Sequence, residues 1–172
     1  MIIPTLKTRR LTLRAPSETD LDDEAEFFAT ERSKFVGGPL PRPQVWRAIA
    51  MMIGHWHLRG YGFWGVDDKE TGEYFGRVGL WSPEGWPEPE IGWTVMGNAE
   101  GKGIAFEAAQ KVRKYAYETL KWPTAITLVD PENTRSAKLA ERMGCAYETS
   151  FEHETFGHMH VWRHPSAQEL HA

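Results

Sequence analysis

Glu90 stands immediately ahead of an apolar run, Ile91 to Met96, and beyond that run Gly101 and Gly103 open a helical pattern. A carboxylate at the start of a strand can serve as a general base, or be only a solvated strand-end acid in a loop flanked by Pro87 and Pro89. Neither glycine has a Cβ, so the backbone there can lie directly against a ligand. Ile104, Ala105, Ala108, Ala109, Val112, Ala116 and Leu120 recur every three or four positions, which predicts a helix over 101–120 with one apolar face. Strand, glycine turn and helix start together present unpaired N–H groups at the positive end of a helix dipole. Such a bend holds a phosphate or diphosphate without a basic side chain. A Walker loop needs four residues between its glycines, and a dinucleotide fingerprint would place its third glycine where Phe106 stands. Taken alone, the two glycines also fit a plain strand-to-helix connection.

Asn133 and Ser136 begin a second predicted helix, 133–143, which Gly144 ends. Asn133 is its natural cap, and Ser136 can either bond local backbone or donate a hydrogen bond to a ligand. Tyr147 follows that helix on a predicted strand, where packing is its expected role. Cys145 has no evident activating base nearby, so a nucleophilic role is not expected. His55 and His57 face apart on a helix. His158 and His160 share a strand face near Glu154 but lack a partner set with metal-site spacing, so no metal is expected. Trp81, Trp86 and Trp93 flank Glu90 in sequence and suggest either an aromatic wall for a second substrate or ordinary packing.

The chain has 172 residues, 41% of them hydrophobic, and this predicts a single domain over 1–172 with an adequate core. A formal charge of −4 argues against a nucleic-acid partner. One cysteine excludes an internal disulfide and suits a reducing cytoplasm. No signal peptide is read, and no apolar stretch suffices to span a membrane.

The elements that must position these residues follow from periodicity. Alternation predicts a strand over 6–14, then a helix capped by Ser17 or Thr19 with early acids. Pro43 opens a second helix whose stripe is Val45, Ile49, Met52, Ile53 and Trp56, ending at Gly60. Strands follow at 61–66, 73–81, 91–96 and 125–129, and a hairpin at 147–153 and 158–163. The fold class is α/β, a mixed and mostly antiparallel central sheet with flanking helices and one parallel crossover through the 101–120 helix. The ligand belongs at the carboxyl end of the strand before that crossover.

The segment 90–109 resembles motif A of the Gcn5-related N-acetyltransferases (the GNAT superfamily), whose loop runs Gln/Arg-x-x-Gly-x-Gly/Ala. Here it stands as Glu100, Gly101, Lys102, Gly103, Ile104 and Ala105, with an acid in the first position. Asn133 to Ser136 with Gly144 is similar to motif B, with Cys145 in place of the usual Phe. Thr8 to Arg14 is similar to the opening of the branch that acetylates ribosomal-protein N-termini. The resemblance implies a fold whose fourth and fifth strands splay around acetyl-CoA. It implies that the backbone of Thr94, Val95 and Met96 pairs with the pantetheine arm. The amides of Gly101, Lys102, Gly103, Ile104 and Ala105 would hold the pyrophosphate, with Asn133 and Ser136 nearby. It implies Glu90 as base, usually through water, and Ser136 as donor to the leaving sulfur. The acceptor it implies is a primary amine, a protein N-terminus or a small molecule. An acyl-CoA-binding protein with little catalysis remains open, as does a phosphate-binding domain of another kind. The apolar second helix and the C-terminal hairpin suggest a homodimer.

Overall fold

A computed structural model describes residues 2–172. The strand expected over 6–14 is two strands, β1 (Leu6–Lys7) and β2 (Leu11–Arg14), folded against each other. The Thr8 amide donates to the Leu11 carbonyl at 3.0 Å, and the Leu11 amide donates to Thr8 Oγ1 at 2.9 Å, closing the turn between them. The sheet continues through β3 (Phe63–Asp68), β4 (Tyr74–Trp81), β5 (Glu90–Val95), β6 (Ile126–Val129), β7 (Ala146–His153) and β8 (Gly157–Arg163). Its eight strands lie in the order β1-β2-β3-β4-β5-β6-β8-β7. All neighbours run antiparallel except β5 and β6, which are parallel and register only at Glu90 opposite Ile126. The two strands predicted to splay are therefore this pair, and a wedge opens beyond that single pair.

Helix α1 (Leu21–Phe28) follows a short 3-10 turn that Ser17 caps, and α2 (Arg42–Arg59) starts one residue ahead of Pro43. Helix α3 (Ile104–Glu118) joins β5 to β6, and α4 (Thr134–Arg142) follows β6. A last helix, α5 (Ala167–His171), lies outside the expected elements, although Ser166 and Glu169 form a capping box in front of it.

Consecutive strand residues point to opposite faces, and Leu80 and Trp81 divide the core accordingly. Leu80, Val78 and Ile91 pack with α3, whose Ala108, Ala109, Val112 and Ala116 are fully buried. Small side chains on α3 let it lie close on the sheet. Trp81 packs with Ile49, Met52 and Trp86 beneath α2. Buried charge ties α1 to the same face. Glu24 is completely buried and accepts from Tyr74 Oη at 2.7 Å and from Arg77 Nη1 at 2.6 Å. Among the described residues no helix is long and apolar enough to cross a membrane.

Candidate active site

The end of β5, the bend after it, α4 and the segment 27–36 enclose a cleft of about 810 Å³. Backbone direction explains its strand wall. The Met96 amide donates to the Phe75 carbonyl at 2.8 Å, so the backbone groups of Met96 and Thr94 face β4. By the same alternation the N–H and C=O of Trp93 and Val95 face the wedge, where β6 has already diverged. Thr94 and Val95 both line the cleft; Met96 does not. Sequence reasoning named Thr94 to Met96 for strand pairing, whereas the free edge belongs to Trp93 and Val95. The signal was strand alternation, whose phase needed one observed hydrogen bond.

At the opposite wall Gly101 and Gly103 adopt φ of 71° and 74°, left-handed values that favour glycine. Gly103 is the N-cap of α3, and no side chain caps it. Among the described residues, the amides of Gly101 through Phe106 meet no protein acceptor. Gly101, Gly103, Ile104 and Ala105 line the cleft. Lys102 is exposed and outside it; its carbonyl accepts from Arg10 Nη1 at 2.9 Å. Arg10 also reaches Glu107 in the first turn of α3 at 2.7 Å, so the turn after β1 braces the bend from behind.

The acid at position 100 has a partner on each side. Glu100 pairs with Arg32 and, at 2.8 Å, with Arg135. Partial burial alone would raise its pKa, but the two guanidinium groups reverse this and hold the carboxyl below its usual value. Arg32, Lys34, Arg135, Lys138 and Arg142 line the cleft against the acids Glu31 and Glu100, so its local field is positive although the chain is negative. Glu100→Gln frees two arginines for an anionic ligand. It should tighten coenzyme A binding severalfold at low salt, and the gain should fade toward about 1 M salt. Calorimetric titration at two ionic strengths checks this, and weaker binding by the variant contradicts it.

Asn133 and Ser136 meet at the base of α4. The Ser136 amide donates to Asn133 Oδ1 at 3.2 Å. Ser136 Oγ accepts from Asn133 Nδ2 at 3.1 Å and from the Trp93 indole at 3.2 Å. Two donors occupy the hydroxyl's lone pairs, which leaves its proton free to donate. Trp93 thus turns toward α4, while Trp81 stacks on His55 at 4.3 Å and Trp86 sits edge-on to His153 at 4.8 Å. The three tryptophans therefore do not form one wall.

Glu90 shares the α2 side of the sheet with Thr94, by alternation, and does not line the cleft itself. Its Oε2 accepts from the Leu128 amide at 2.9 Å. Burial pushes its carboxyl up to about 7, against smaller opposing pulls from the Leu128 amide and the Trp86 indole. That indole N–H is buried and makes no hydrogen bond of ordinary geometry. Tyr147 is half-exposed on β7 and pairs with Ser150 at 3.1 Å, away from the cleft. Cys145 is buried, and desolvation pushes its thiol up to about 12. Among the described residues no three His, Cys, Asp or Glu side chains cluster as a metal site requires.

A sheet parted after one parallel pair, with a free strand edge facing a bend of free amides, defines an α/β protein of the acetyltransferase type. Residues 10–146 match the family described as Acetyltransferase (GNAT) domain, and the chain belongs to that family. It is similar to the uncharacterized N-acetyltransferase p20 of Bacillus licheniformis, 33% identical over 139 residues that cover 78% of each chain. Matches to curated relatives span from 36% to 78% of the relative's length. Among solved structures, an acetyltransferase from Agrobacterium tumefaciens str. C58 is 38% identical, covers 96% of both chains and has a TM-score of 0.87. A putative ribosomal-protein-serine acetyltransferase from Vibrio cholerae shares the fold, with a TM-score of 0.81 at 18% identity over 96% of this chain and 100% of that one.

Proposed function

We propose that this chain acts as a single domain, a cytoplasmic N-acetyltransferase that moves an acetyl group from acetyl-CoA directly to a primary amine. The observation that carries this reading is the cleft itself, with open strand edge, uncapped helix start and cationic rim on one surface. Trp93 and Val95 would pair with the pantetheine arm, Thr94 contributing a side chain to the wall. The amides from Gly101 to Ala105 would hold the pyrophosphate, and Arg32 and Arg135 would meet further phosphate charge. When bound, acetyl-CoA supplies an activated acetyl thioester.

The chain's own groups then handle protons. Glu90 is the base for the amine: one carboxylate oxygen is anchored on the Leu128 amide, and the pKa is already near the working pH. The neutral form of an α-amino group, with a reference pKa of about 7.7–8.0, is accessible to so weak a base; a lysine near 10.4 is much less so. This favours a protein N-terminus or a small α-amine as acceptor, in keeping with the ribosomal-protein fold relatives. Ser136 donates its free hydroxyl proton as a hydrogen bond to the departing sulfur. Ser136→Ala should lower kcat by about 10- to 100-fold, the range of one hydrogen bond to a charged group, with little change in KM for acetyl-CoA. An equal kcat would remove Ser136 from this role. A homodimer through α2 or the β7–β8 hairpin completes the reading.

Acetyl-CoA offered with a panel of amines, with thiol release monitored, tests the proposal. Turnover on an α-amine supports it. The seclusion of Glu90 from the cleft favours one alternative, an acyl-CoA-binding protein with little catalysis, and tight binding without turnover on any amine would establish that instead.

A further inference from the structure

Once a parallel ladder has begun at Glu90 and Ile126, its next rung runs from the Leu128 N–H to the Ile91 C=O. That rung is absent. The Leu128 amide donates instead to Glu90 Oε2 at 2.9 Å, and the Ile91 carbonyl accepts from the Thr127 hydroxyl at 2.8 Å. Both halves of the missing rung are satisfied by side chains, so no buried polar group is left to draw the strands together.

Thr127 is fixed from behind. Its one hydroxyl proton is committed to Ile91, so at 2.8 Å from His164 Nε2 its oxygen accepts, and the ring carries its proton on Nε2. His164 Nδ1 is then an acceptor for Arg113 Nη1 at 3.3 Å, and Arg113 is itself anchored on the Met143 carbonyl at 2.6 Å. Burial, with Arg113 and Arg163 adding to it, lowers the His164 pKa to about 3, which keeps the ring neutral and this proton arrangement single. The relay thus runs from α3 through His164, just past the end of β8, and through β6 to β5.

We propose that Thr127, braced by His164 and Arg113, is the pin that ends the β5–β6 ladder after one pair and keeps the slot beside Trp93 and Val95 open for an extended acyl-carrier arm. The inference rests on the coenzyme reading above. Thr127 is a positioning residue: it is buried and acts through the strand it holds off.

Thr127→Val keeps the shape and removes the hydroxyl; Thr127→Ser keeps the hydroxyl. In the valine variant the freed Ile91 carbonyl should recruit the Leu128 amide, and the lengthened ladder should next offer the Leu128 carbonyl to the Trp93 N–H. Residue-resolved amide exchange without ligand should therefore find Trp93 fast in wild type and in Thr127→Ser but protected in Thr127→Val. Coenzyme A should bind Thr127→Val about tenfold more weakly, roughly the worth of one hydrogen bond, with KM for acetyl-CoA raised more than kcat is lowered. The serine variant should restore wild-type values.

A Trp93 amide already protected in wild type overturns the inference, even if the valine variant does not fold. So does a folded Thr127→Val with unchanged exchange and affinity, or a serine variant as impaired as the valine one. Wild-type protein that ignores coenzyme A while showing the expected exchange pattern would instead count against the coenzyme reading alone.

Discussion

Glu90→Gln should cost about 100-fold or more in kcat at pH 7.5, the usual contribution of a positioned base, while coenzyme A still raises the melting temperature as in wild type. The wild-type pH profile of kcat/KM should carry a rising limb near pH 7 from this carboxyl, and the glutamine variant should lack it. Stability supplies a second readout of opposite sign. The folded-state pKa lies above the ordinary carboxyl value of 4.5, so the folded chain is favoured at low pH and loses that advantage as pH rises through about 7. Above pH 7 wild type carries a buried, incompletely compensated carboxylate, which glutamine does not. The variant should therefore be more stable at pH 8 by roughly 1–3 kcal/mol, and the two should converge below about pH 4.5. For a chain of this size that is about 2–4 °C in Tm per kcal/mol. A glutamine variant with full activity, or one that melts lower than wild type at pH 8, removes the base assignment.

The second large effect should come from Gly103→Val. A left-handed φ of 74° costs an ordinary residue about 1–2 kcal/mol, and a β-branched one more. Space is not the obstacle, since a Cβ there would first meet Arg10 Nη2 at 3.5 Å. The bend should relax to a right-handed conformation and turn the amides of Ile104 and Ala105 away from the cleft. Wild type at a hundredfold excess of coenzyme A over Kd gains about 2.7 kcal/mol, or roughly 5–10 °C, and the variant should lose nearly all of that shift. A full ligand-induced shift in Gly103→Val would show that these amides do not hold the ligand.

The sequence made local features plain and long-range ones obscure. The α3 stripe, its two glycines and the Asn133 cap declare themselves because each depends on residues a few positions apart. The break between β1 and β2 does not, since it is stabilised partly by Arg10 and Thr8 reaching Glu107 on α3. The two arginines that balance Glu100 come from Arg32 and Arg135, on separate elements, so the acid in the loop reads as a repulsion until the fold is known. Strand phase decided between Met96 and Val95, and a one-residue ambiguity there inverts which backbone groups are free. Ser166 and Glu169 did carry a capping signal for α5 that sequence reasoning could have used. Thr127 and His164 are recognisable only once β5, β6 and β8 are in register.

The seclusion of Cys145 has a consequence for redox chemistry. Disulfide exchange requires a thiolate at the surface, and a sulfhydryl that ionises only near pH 12 beneath Gly144 and α4 supplies almost none. The proposed reaction releases a free mercaptan at every turnover, beside oxidised forms of that same product. With its one cysteine buried, this chain offers them no thiolate to form a mixed disulfide with, and oxidative stress should leave it unmodified at cysteine.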